Sequence, residues 1–194
     1  LWKLLTNNAK KSVLISIPFA YPPDEIDGIM TTGLGTPSRN SDFCRPRPFR
    51  AELMARYPEF DVDFNEDAIL LSHDKGFTTD QISRATSIQM EATRWLFERE
   101  KWDFFSVVFR SLDVIQHYYW DDQNTILQFY KQCDEFLEWV LETMSDAMVL
   151  LVCSDHGFSR VHTRVYINNW LENLGLFSIK GRKGMLSRIM PSAE

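Results

Sequence analysis

Apolar positions along this chain fall into two rhythms. Residues 13–17, 104–109 and 147–153 form short runs broken by one serine at most, the pattern of strands covered on both faces of a sheet. The run at 13–17 is β-branched-rich and stops at Pro18; residues 28–32 predict a further short strand. Elsewhere the apolar positions recur every three to four residues, which marks helices with one buried face. One such stripe is Ile82, Ala85, Ile88, Ala92, Trp95 and Leu96, extended by the stem of Arg99, with Thr78, Thr79 or Asp80 as N-cap. Another helix runs from about residue 124 to 144 and carries Ile126, Phe129, Tyr130, Cys133, Phe136, Leu137, Val140 and Leu141. Trp2, Leu4 and Leu5 predict a short opening helix, residues 49–57 one or two turns, and residues 165–174 a helix closed by Gly175.

Between these elements, Tyr21, Pro22 and Pro23 enforce an extended turn, and Gly33, Gly35, Pro37 and Ser38 mark a loop. Residues 41–48, rich in Arg, Pro and Asp without any period, read as an exposed excursion. Strands alternating with helices, and apolar rather than alternating within themselves, predict an α/β fold with a mainly parallel sheet and helices on both faces.

Composition narrows the function. The chain has 194 residues, 44% of them hydrophobic and 25% charged, within the range of an ordinary globular domain. A formal net charge of -6 argues against the nucleic-acid backbone as partner, since that binding rests on clustered Lys and Arg. The one basic stretch, residues 180–188, reads as solvated tail. Three widely spaced cysteines, Cys44, Cys133 and Cys153, form no CxxC pair and fit a reducing compartment; Cys153 reads as a small buried hydrophobe. No apolar run approaches the roughly 18 residues that cross a bilayer, and no secretory signal opens the chain, so cytoplasmic residence is the expectation. Leu1 begins inside a helical pattern, which leads us to expect that the natural protein starts earlier.

Candidate chemistry sits where two of the expected strands end. After residues 104–109 come Asp113 and His117, four apart and therefore on one face of a helix starting near Asp113. After residues 147–153 come Asp155 and His156, which share one ion only where the chain leaves the strand, as Gly157 permits. In parallel sheets, ligands gather beyond the carboxyl ends of the strands. Two Asp and two His meeting there suit Zn, Mn or Fe, whereas an all-oxygen set suggests Mg or Ca. The plain alternative for each pair is a helix cap or turn with a surface imidazole; their joint occurrence after two strands favours metal.

The segment Ser154-Asp155-His156-Gly157-Phe158, followed by Tyr166, Ile167, Asn168, Asn169, Trp170, Leu171 and by Gly175, Leu176, Phe177, resembles the type I phosphodiesterase and nucleotide pyrophosphatase branch of the alkaline phosphatase superfamily. Within that branch it is similar to the prokaryotic phosphohydrolase or phosphomutase group. Arg110, Ser111, Leu112 and Asp113 through His117 resemble that group's Asp-x-x-x-His metal motif, and Tyr21 to Pro23 with residues 33–38 its loop between early strands. The resemblance implies an alkaline phosphatase-like three-layer α/β/α domain and two divalent ions about 4 Å apart, zinc first, with manganese or iron as the other choices. Asp113 and His117 would bind one ion and Asp155 with His156 the other. The implied activity is hydrolysis of small phosphate mono- or diesters, in which a Thr or Ser attacks phosphorus in line.

The same resemblance makes residues 1–194 a partial catalytic domain. The family's first metal-binding Asp and its nucleophile precede the region matching Leu1, and a further His ligand follows the Gly-Leu-Phe segment, so weak activity or none is expected. Thr31, Thr32 and Thr36 are substitutes for the nucleophile to be tested against the structure, as is His162 for the missing ligand; beside Arg160 and Arg164 it reads more simply as a surface imidazole. His73 reads as an exposed turn residue. Two other functions stay open: a phosphotransfer like that of cofactor-independent phosphoglycerate mutase, and a metal-free binding domain that kept the sheet.

Overall fold

Strand β1 (Ser12–Ile17) is buried at every position and paired along both edges, the environment its apolar run demands. The computed structural model describes residues 1–64 and 74–178. The sheet has four strands in the order β3-β2-β1-β4, with β2 at Gly28–Thr32, β3 at Cys44–Arg45 and β4 at Phe104–Val107. Strands β2 and β4 run parallel to β1, and β3 runs antiparallel to β2. The fold is thus α/β with a mainly parallel sheet, as the strand and helix alternation requires.

Helices flank both faces. Helix α1 (Trp2–Asn7) covers one face, where Trp2 and Ile26 pack against Leu14, Ile17 and Met30. The other face carries α2 (Arg47–Arg56) and α3 (Lys75–Arg99), whose Phe49, Leu53, Ala92 and Leu96 enclose Val13, Ile15 and Ile29. Gly28 lets β2 lie close to β1. Its φ is +130°, and a Cβ there would stand 2.0 Å from the Ser12 carbonyl oxygen, so only glycine fits. Beyond β4 come α4 (Ser111–Tyr119) and α5 (Gln123–Thr143), joined to α3 by a core of Ile82, Val114, Ile115, Ile126 and Phe129. Residues 1–152 form one compact unit, and a second begins at Cys153. The second contains α6 (Ile167–Asn173), followed by Gly175 at φ +71°.

Several expectations are corrected. Strand β4, expected to be covered on both faces, is half-buried at all four of its residues, and among the described residues it is the outermost strand on its side. Residues 147–153 form no strand and pair with none of the strands of the described sheet. Val149 and Leu151 are exposed, while Leu150 and Val152 line a shallow groove with Leu137 and Leu141 of α5. Cys153 is likewise exposed, not buried.

The expected excursion at 41–48 instead holds buried Phe43, Cys44 and Arg45. Arg45 is tolerated there because its guanidinium donates to Glu25 at 2.6 Å, to Asp42 at 2.9 Å and to the Cys44 carbonyl at 2.9 Å, so the charge is paired. Helix α3 is capped by Asp74, whose carboxylate accepts from the Phe77 amide at 3.0 Å. Thr78 and Thr79, expected as caps, instead donate to the carbonyls of Asp74 and Lys75 one turn back. His73 and the basic stretch at 180–188 lie outside the described residues.

Candidate functional site

Where β4 ends, the Val108 amide still bonds to the Ile15 carbonyl, and Gln89 of α3 donates to the Val108 carbonyl at 2.8 Å. This fixes the exit of the chain from the sheet. Helix α4 starts three residues later and buries Ser111, Val114 and Ile115, so its period turns Asp113 and His117 together to the opposite side. Asp113 Oδ1 lies 3.4 Å from His117 Nε2. Two ligand atoms each about 2.1 Å from a tetrahedral ion stand about 3.4 Å apart, so the pair has the spacing of two ligands of one ion.

The other oxygen of Asp113 faces Arg110 Nη1 at 3.5 Å. Arg110 Nε in turn donates to Asp63 Oδ1 at 2.8 Å, and its guanidinium lies 5.9 Å from the centre of the Phe64 ring. Asp63 Oδ1 also accepts from the Phe64 amide at 2.8 Å. Neither Arg110 nor Asp63 was assigned a role from sequence. Arg110 stood in view at the start of the motif, but Asp63, 47 positions away, carries no local signal linking it to Asp113.

The second pair lies in the other unit and is described by itself. Asp155 Oδ1 is 3.7 Å from His156 Nε2, a few tenths of an ångström wider than an ideal ligand pair. His156 Nδ1 lies 3.0 Å from the Gly157 carbonyl. A carbonyl only accepts, so with Nδ1 as donor to Gly157 the ring nitrogen facing Asp155 is Nε2. Ser154 Oγ donates to the His156 carbonyl at 2.6 Å and tightens the turn. No three His, Cys, Asp or Glu among the described residues are grouped to hold an ion. The donor types of both pairs suit a divalent ion, and the spacing does so at Asp113–His117.

The threonines proposed as nucleophile are committed elsewhere. Buried Thr31 accepts from the Ser16 amide at 2.9 Å, and buried Thr32 shares a 2.7 Å bond with Thr36, which also reaches the Gly33 carbonyl. His162 is exposed. No helix among the described residues is long and apolar enough to cross a membrane.

Residues 3–193 match the family described as type I phosphodiesterase / nucleotide pyrophosphatase. The chain belongs to that family. Membership in this phosphodiesterase family, and through it in the alkaline phosphatase superfamily, agrees with the motifs around Asp113 and Asp155. A curated relative, GPI ethanolamine phosphate transferase 3 of Saccharomyces cerevisiae, is 29% identical over 62 residues, which is 32% of this chain and 6% of that protein. The chain therefore spans a small part of the curated relative it matches. No solved structure matches it.

Proposed function

We propose that this chain contributes to the metal-dependent hydrolysis of small phosphate mono- or diesters. The observation that carries the reading is the Asp113–His117 pair, set at the carboxyl end of a parallel strand with its two ligand atoms 3.4 Å apart. Asp113 and His117 would hold one divalent ion, and Asp155 with His156 the other; zinc heads the choice, with manganese and iron behind it. When bound, such ions stabilise the entering and leaving oxygens of an in-line displacement. The protein's part is to present both donors of each pair to one side. Thr31, Thr32 and Thr36, weighed as substitutes for the nucleophile, are hydrogen-bonded within the fold.

Loading the protein with zinc or manganese and weighing the bound metal by mass spectrometry tests the assignment. Asp113→Ala and His156→Ala are each expected to lower the metal content. Unchanged content in both variants sinks the metal site and favours a metal-free binding domain. A second reading, transfer of a phosphate-linked group to an acceptor alcohol, draws support from the yeast relative's description as a phosphate transferase. Product analysis of a nitrophenyl phosphodiester with and without added ethanolamine separates hydrolysis from transfer.

A further inference from the structure

Resting on the metal reading above, the geometry points to Arg110, anchored by Asp63, as the positioning residue that fixes the Asp113 carboxylate for its ion. Asp113 sits in the first turn of α4, and its side chain is 28% exposed. The two carboxylate oxygens have different neighbours. Oδ2 faces Arg110 at 3.5 Å, while Oδ1 faces His117 at 3.4 Å. A carboxylate held at one oxygen leaves the other aimed at the imidazole, and that division of labour orients a ligand before the ion arrives.

Arg110 is suited to the task because it is itself held. Only 16% of its side chain is exposed, Asp63 accepts from Nε at 2.8 Å, and the Phe64 ring lies beside the guanidinium. Asp63 is fixed in turn by the Phe64 amide. The acidic partner also answers an electrostatic objection. A bare guanidinium beside a ligand would repel a divalent cation, but the Asp63 carboxylate offsets the guanidinium charge. The clamp then contributes orientation with little repulsion. Lysine cannot replace it, since a single ammonium cannot span Asp63 and Asp113 with a planar fork.

The test uses the full chain and manganese alone. Paramagnetic broadening of the His117 ring signal, assigned with His117→Asn, reports occupancy at this pair and does not require turnover. Arg110→Ala and Asp63→Asn are each expected to raise the manganese concentration for half-broadening about 10- to 100-fold, the range for loss of a residue that orients a ligand. Arg110→Lys is expected to restore little of it. Thermal unfolding confirms that each variant is folded, and a variant that is not is replaced by Arg110→Gln, which keeps the size without the charge. If Asp113→Asn abolishes broadening while folded Arg110 variants titrate like the wild type, the clamp is overturned and the metal site stands. If Asp113→Asn also titrates like the wild type, the metal reading itself fails.

Discussion

At the scale of single residues, what surrounds a side chain decides its chemistry more than its type does. The three cysteines are chemically alike in sequence and differ in the fold. Burial pushes the Cys44 thiol up to about 12 and the Cys133 thiol up to about 11, while Cys153 is exposed. Since the thiolate is the reactive form, an aromatic disulfide reagent at pH 8 is expected to label Cys153 fast and the other two only on unfolding. Fast labelling of Cys44 in the native protein would contradict its burial. Asp113 and His117 were legible as a pair because helical spacing alone brings positions four apart together. Arg110 and Asp63 were not, because their contact spans 47 positions and depends on tertiary structure that no local pattern encodes.

Elements were legible where one force dominated. Strand β1 and the long helices α3 and α5 follow directly from apolar periodicity, since burial of a stripe is most of what stabilises them. Their ends were harder to read, because capping turns on one hydrogen bond. Helix α5 begins at Asp122, whose carboxylate takes the Lys75 ammonium and accepts from the Thr125 amide and hydroxyl. Those bonds, the Lys75 contact foremost, hold the Asp122 carboxyl down at about 2 against an ordinary 3.8. Because the folded value is the lower one, the stabilisation is fully present above 3.8 and is lost as the pH falls through about 2. Asp122→Asn is therefore expected to melt below the wild type at pH 7, and the gap in Tm to close between pH 4 and pH 2. A gap independent of pH would mean that the cap acts without its charge.

On the scale of the whole molecule, the sequence shows an α/β architecture but misplaces its margin. Residues 147–153 look like a strand because their short unbroken apolar run has the pattern of a buried one, yet strand formation also needs a paired neighbour, and these residues pair with none of the described strands. The outcome is an apolar segment in contact with water, with Val149 94% and Leu151 83% exposed. Exposed β-prone segments of low charge template association. Leu151→Lys is expected to leave Tm within about 2 °C, since a surface change away from special features is worth about 0.5 kcal/mol or less, and to slow aggregation measured by light scattering. Faster aggregation of the variant would show that Leu151 is shielded in solution.

The pairing of β1 on both edges also sets an order of events during synthesis. Its partner on one side begins at Gly28, but its partner on the other begins at Phe104. At about 5–20 residues per second, a ribosome takes roughly 5–20 s to supply that second edge, and closing the longer loop costs about 1.5 kcal/mol more in chain entropy. Through that interval, the strand that becomes the most deeply enclosed has one edge without its partner.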